Sequence, residues 1–323
     1  MSKPLGLHFD GLLGMINPEE LREYVEYNRE RTEVYYKKEI LKLPPPWTEH
    51  KWISKFKFTN VFRKHDRETV WAIKNILEND SLSWESKALN VVLFQMINRG
   101  DSYMDRFRRV LPLYEMSYDD IHNMGREELR RYEDGPPFTA PQQSNAYFLS
   151  TAVKMANEVC PEDIKYSVAA RAYLVKTYSD PILLAWKSPF ATEAIEHLLQ
   201  VSGLGPFMAY QCWATMSYSK ETAYTDNDAI VCGPGTQDGV WYMLNDQNPP
   251  CGYQMFVEWW YQNIKEICAH FGYAWEPEKW FHFMPEDERF YTRQMFTNSF
   301  CEFSKLHKLN HEIRMRPRWY KFS

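Results

Sequence analysis

The sequence predicts an all-α fold on three observations: apolar residues recur at three- and four-residue spacing along most of the chain, helix-cap signals mark where those runs begin, and alternating strand patterns are nearly absent. The first long run opens on Asn17 as N-cap, with Pro18 at the first helical position and Glu19 and Glu20 in the first turn. Proline has no N–H to lose there, and acidic side chains suit the positive end of a helix. Pro44, Pro45 and Pro46 then end helical structure, because their rings clash with the preceding turn. Further helices are predicted over about 64–78, 83–98, 119–132, 144–158, 161–177 and 190–200. A two-glycine hairpin, Gly203-Leu204-Gly205, leads into a helix to about 217. A short piece near 239–246 and two strong helices, about 252–271 and 285–307, complete the chain.

A chain of 323 residues can bury a large core and is expected to form more than one lobe. Residues 1–46 are expected to be an N-terminal helical extension and 47–323 a helical domain of two lobes, with a waist near 132–143 where Gly and Pro cluster. No run of about 20 apolar residues is long enough to span a membrane, and the first residues lack the pattern of a signal peptide, so a cytoplasmic location is expected. The cysteines, Cys160, Cys212, Cys232, Cys251, Cys268 and Cys301, are widely spaced without a C-x-x-C, and no His pair at zinc spacing is expected; reduced, mostly buried thiols are expected. A net charge of −5 weighs against a broadly cationic nucleic-acid surface. Basic runs nevertheless occur at 98–109 ("NRGDSYMDRFRR"), at 126–131 ("REELRR") and from Lys305 through Lys308, Arg314, Arg316, Arg318 and Lys321, so a basic face on an acidic protein is compatible with the sequence.

Three stretches carry residues suited to chemistry. In "LLQVSGLGPFMAYQCWATM" (198–216) the two glycines permit a sharp turn, Pro206 starts a helix, and Ala209 leaves room for close packing. The N–H groups at such a helix start suit an anion, which makes Gly203 and Gly205 candidates for gripping a DNA phosphate; a plain helical corner is the alternative. In "FKFTNVFRKHDRETV" (56–70), Arg63 and Arg67 are four apart and would share a helical face with Asp66 beside them, a shape suited to pyrophosphate, or equally to a surface ion-pair cluster. In "DNDAIVCGPGTQDG" (226–239), Gly233, Gly235 and Thr236 could present N–H groups and a hydroxyl to an oxyanion, downstream of Asp226 and Asp228 as candidate bases or metal ligands. Asn60 and Gln211 are amides able to read a base edge or bind an amine, though each is equally suited to a structural hydrogen bond. His65 receives no role.

The hairpin is similar to the helix-hairpin-helix of DNA glycosylases, in which an essential Asp lies a little over twenty residues beyond the first glycine; Asp226 and Asp228 fall at that distance. The lysine of bifunctional members would sit two residues after the second glycine, where this chain has Phe207, so lyase chemistry there is excluded. Together, "FTNVFRKHDR", "GLGPFMAYQ" and "DAIVCGPG" resemble the phage alpha-glutamyl/putrescinyl thymine pyrophosphorylases and the related helical domain of 5-hydroxymethyl-deoxyuridine DNA kinases, from about Trp47 to Gly239. The resemblance implies a DNA glycosylase-like helical fold that works in the host cytoplasm on double-stranded DNA with modified thymine. It also implies an enzyme that displaces pyrophosphate from a pyrophosphorylated hydroxymethyluracil with an amine, either an amino acid or putrescine. Asp228, Asp226 and Asp66 would be catalytic. Asn60, Arg63, Arg67, Gln211 and the Gly233–Thr236 turn would hold the pyrophosphate or amine, and magnesium is the candidate cofactor. A hydroxymethyluracil DNA kinase is the expected associate. The 323 residues contain no G-x-x-x-x-G-K-[ST] loop, so the transfer step fits better than the kinase step. A monofunctional glycosylase and a non-catalytic DNA-binding subunit of a base-modification complex are the alternatives.

Overall fold

In a computed structural model of the chain, the described residues are 9–134, 138–143 and 150–315. They fold into α-helices joined by turns, with no strand among them. The chain divides into two compact units: one comprises the segment up to Arg63 together with the segment from Ile230 onward, the other Lys64 to Ala229. The Gly and Pro cluster at 132–143 thus falls inside the second unit, and its residues 135–137 lie outside the described residues, as do 144–149 of the helix expected over 144–158.

The first unit begins with α1 (Phe9–Leu13) and α2 (Pro18–Tyr35). Asn17 caps α2 as the sequence predicts, its side-chain oxygen accepting from the Glu19 and Glu20 N–H groups. The second unit follows with α3 (Arg67–Ala72), α4 (Trp84–Ile97), α5 (Gly100–Phe107), α6 (Tyr118–Asp134), α7 (Ser150–Val159), α8 (Ala169–Thr177), α9 (Ser179–Lys187), α10 (Ala191–Leu198) and α11 (Pro206–Met216). The chain then returns to the first unit with α12 (Pro234–Met243), α13 (Tyr253–His270), α14 (Pro277–Trp280) and α15 (Arg293–Asn310). The helix expected from 285 starts later, because Pro285 opens a short 3-10 turn over Glu286–Glu288 and Thr292 supplies the cap of α15.

In the first unit, Leu12, Leu13, Ile16, Leu21 and Tyr24 share one apolar cluster with Phe256 and Trp260 of α13 and Phe300 and Phe303 of α15. The Tyr24 ring meets Trp260 edge-on at 5.6 Å and Phe300 at 4.9 Å, separations at which aromatic pairs attract beyond simple burial. Residues set apart as an extension on sequence therefore supply part of this core. In the second unit the central element is α4, capped by Ser83 and ended by Asn98 in the left-handed conformation. It is buried on nearly every face, with Leu89, Val92 and Leu93 fully buried, and it packs against α5, α8, α9 and α11. Its buried amides find partners inside, Asn90 donating to the Leu111 carbonyl at 2.7 Å and Gln95 to the Thr215 hydroxyl at 2.7 Å.

Candidate functional site

In the first unit, residues 58–60 are held from two sides. From α2, the buried Arg31 donates through Nε to the Thr59 carbonyl (3.1 Å) and through Nη2 to the Phe58 carbonyl (3.2 Å) and Asn60 Oδ1 (2.7 Å). From α15, Glu302 Oε2 accepts the Thr59 N–H at 3.0 Å and Asn298 Nδ2 donates to the Asn60 carbonyl at 2.9 Å. Glu302 is only 2% exposed. Burial opposes its charge, but Lys305 one turn on, the Thr59 N–H and the Arg63 guanidinium outweigh that cost and hold the carboxyl below the usual carboxylate range. Lys305, Arg63 and Lys308 also lie within electrostatic range of Cys301, whose thiol burial nevertheless pushes upward. Lys305 and Arg63 thus both act on the buried Glu302 carboxylate, while Lys308, one turn further along α15, pairs with Asp238.

The Gly233–Thr236 segment forms the start of α12 and packs on the same helix. Gly233 is the N-cap of α12 and Gly235 lies in its first turn. A Cβ on Gly235 would stand 2.5 Å from Cys301 Sγ, and one on Gly239 would stand 2.1 Å from the Phe300 carbonyl oxygen. The Thr236 hydroxyl donates to the Thr297 carbonyl at 2.9 Å in the interior. The glycines let α12 lie against the α15 backbone, and Thr236 fastens it there. Further along, Lys308 pairs with Asp238 at 2.6 Å. The Asn60 amide oxygen accepts from Arg31, the structural hydrogen bond that the sequence reading holds open beside a binding role.

Arg63 and Arg67 do not share a helical face. Arg63 lies in a 3-10 turn (Arg63–His65), Asp66 is the N-cap that starts α3, and the two arginines fall in different compact units. Arg67 is exposed and pairs with its neighbour Glu68, which accepts from its Nε at 2.8 Å.

In the second unit, the hairpin joins α10 to α11. Gly203 has φ +89° and a Cβ there would come within 2.8 Å of Ala152 Cα in α7, so both its conformation and its packing demand glycine. Gly205, the N-cap of α11, faces open space. Leu198, Val201, Leu204 and Ala209 are buried, as the spacing predicts, and Gln211 is 9% exposed within α11. Asp228 is exposed and closes a local turn, its Oδ2 accepting from the Thr225 N–H (2.6 Å) and hydroxyl (2.9 Å); Asp226 stands in the same turn. Between α5 and α6, Arg108, Arg130 and Arg131 line an open cavity of about 500 Å³ together with the acidic Asp105, Glu127 and Asp134.

Sequence reasoning passed over Glu302, although Asn298, Glu302 and Lys305 repeat at helical spacing and would have marked a polar stripe. It also passed over a His pair: His307 and His311 are four apart on α15, a spacing zinc ligands use.

The chain matches the family described as the helical domain of 5-hmdU DNA kinase over residues 19–315. It is 27% identical over 233 residues to the 5-hmdU DNA kinase of Bacillus phage SP10, an alignment covering 67% of this chain and 35% of that relative. No solved structure matches the chain.

Proposed function

This chain belongs to the family of the 5-hmdU DNA kinase helical domain, and from that premise we propose that it acts in phage thymine modification, displacing pyrophosphate from pyrophosphorylated hydroxymethyluracil in DNA with an amine. In the step proposed, the amine nitrogen bonds to the C5 methylene carbon while the carbon–oxygen bond to pyrophosphate breaks. The leaving oxygen keeps the electron pair, and a proton passes from nitrogen to a carboxylate, for which Asp228 is the candidate and Asp226 and Asp66 are positioning candidates. The observation that carries this reading is that Lys305 and Lys308 of α15, with Arg63 from the 3-10 turn, all lie within electrostatic range of Cys301. Pyrophosphate departs with several negative charges, and fixed cations stabilise charge as it develops. Arg67 and the start of α12 are further candidate contacts and Gln211 a candidate for the amine; magnesium is the candidate cofactor and, if bound, would supply further positive charge for the leaving pyrophosphate. The hairpin at Gly203–Gly205 would hold a DNA phosphate at the positive end of the α11 dipole.

The test supplies purified protein with pyrophosphorylated hydroxymethyluracil DNA, magnesium and a panel of amino acids and polyamines, and measures pyrophosphate released. Release that depends on the amine, and that drops at least 10-fold in an Arg63→Ala, Lys305→Ala double variant, supports the proposal; no release with any amine sinks it.

A second reading, a non-catalytic DNA-binding subunit working beside a hydroxymethyluracil DNA kinase, draws on the Asp228 carboxylate closing its own turn, a structural use of that group. Asp228→Asn separates the two: the enzyme loses turnover, whereas the subunit keeps DNA affinity and function. Abasic-site formation instead of pyrophosphate release would point to a monofunctional glycosylase.

A further inference from the structure

We propose that Glu20, His307 and His311 form a site in the first unit for a first-row divalent transition-metal ion, zinc being the best match to its donors. Glu20 occupies the third position of α2, where the Asn17 cap fixes the first turn, and its carboxylate is buried. His307 lies in the last turn of α15 and His311 is its C-cap residue; the His311 N–H donates to the His307 carbonyl at 3.0 Å, so helical spacing persists and both rings project from one face. The rings stack with centroids 4.2 Å apart. One carboxylate faces both: Oε2 is 2.9 Å from His307 Nδ1 and Oε1 is 3.7 Å from His311 Nε2. The three donor atoms lie within 4.8 Å of one another.

A buried His–Glu hydrogen bond explains the shorter distance but not the longer one. At 3.7 Å the second imidazole is beyond hydrogen-bond reach, yet it still directs a nitrogen at the other oxygen of the same carboxylate. That convergence is what a cation needs. Tetrahedral zinc with bonds near 2.0–2.1 Å sets its ligand atoms roughly 3.3 Å apart, between the two separations found here. The surroundings supply support of the kind that orients metal ligands: the Tyr242 ring lies flat on His307 at 3.7 Å and fixes its plane. Glu23, which accepts from Asn310 Nδ2 at 2.6 Å, adds a second carboxyl near the end of α15. His311 is 55% exposed, so the fourth position opens towards solvent and takes water or an oxygen of a small ligand. Two imidazoles and one carboxylate form a zinc donor set, whereas magnesium favours all-oxygen ligation. A bound ion would tie the start of α2 to the end of α15.

The test uses the full chain, reduced and stripped with a chelator, titrated by calorimetry with zinc chloride alone. One equivalent should bind. His311→Ala should weaken it at least 10-fold while leaving the metal-free far-UV circular dichroism and Tm unchanged, because that side chain stands largely in solvent. Glu20→Gln should weaken it similarly, and His270→Ala, at the exposed end of α13, should have no effect. The proposal is overturned if the wild type binds no stoichiometric zinc, or if His311→Ala binds as tightly as wild type, in which case any zinc sits on other groups. Should Glu20→Gln fail to fold, His311→Ala decides alone.

Discussion

Glu302 shows how a single residue can be central and still escape a reading of sequence. Its role depends on burial beside Thr59, Lys305 and Arg63, and a Glu between Cys301 and Phe303 in a helix does not announce that environment. Asn60, Arg63 and Thr236 were legible as polar residues in unusual contexts, but their partners were not, since Arg31 and Thr297 are 29 and 61 residues away. Removing one partner from a buried charge cluster leaves the others uncompensated, so Glu302→Gln should cost about 3 kcal/mol at neutral pH in urea unfolding. Its folded-state carboxyl is held below its unfolded value of about 4.3. The stability it contributes is therefore fully present above that unfolded value and is lost as pH falls through the folded one, and the gap between wild type and Glu302→Gln should close over that acid window. Gly239→Ala drives a methyl group into the Phe300 backbone and should cost at least about 2 kcal/mol in the same measurement.

At the scale of elements, helices announced by caps were legible: α2 begins after Asn17 and α4 after Ser83, close to where the sequence places them. Elements without local signals were not. The short α5 was missed because Gly100, a poor helix former, begins it, and the residue is there so that the Trp71 indole of α3 can lie against the backbone. The Arg63–Arg67 pair was misjudged for a related reason, since periodicity does not reveal that Asp66 interrupts the helix as a cap. The hairpin offers a clean test of DNA contact. Gly205 faces open space with φ −84°, so Gly205→Glu fits sterically, and a carboxylate at a helix start suits the dipole. Its stability should stay within about 1 kcal/mol of wild type, while affinity for duplex DNA at low salt should fall at least 10-fold through repulsion of the phosphate. Unchanged affinity by fluorescence anisotropy would remove the hairpin from the DNA-binding surface.

For the whole molecule, the all-helical class was evident from periodicity, whereas the points at which the chain divides into units were not. The first unit joins the two ends of the described chain, and pairing across such sequence separation leaves no local trace. Among the described residues no helix is long and apolar enough to cross a membrane. All six thiols are free, and burial raises each of them, Cys232 and Cys268 to about 12. A thiol reacts as its thiolate, so the native protein should label slowly with iodoacetamide at pH 8 and the urea-unfolded chain should label fully within the same interval, counted by intact mass. The central claim concerns the base that the protein makes. The most direct measurement is mass spectrometry of nucleosides digested from pyrophosphorylated hydroxymethyluracil DNA after incubation with the protein and a ¹⁵N-labelled amine. A new thymidine derivative carrying the label, joined through its C5 methylene with the glycosidic bond intact, is the predicted result. DNA with no labelled nucleoside for any amine, or with abasic sites in its place, would contradict the account.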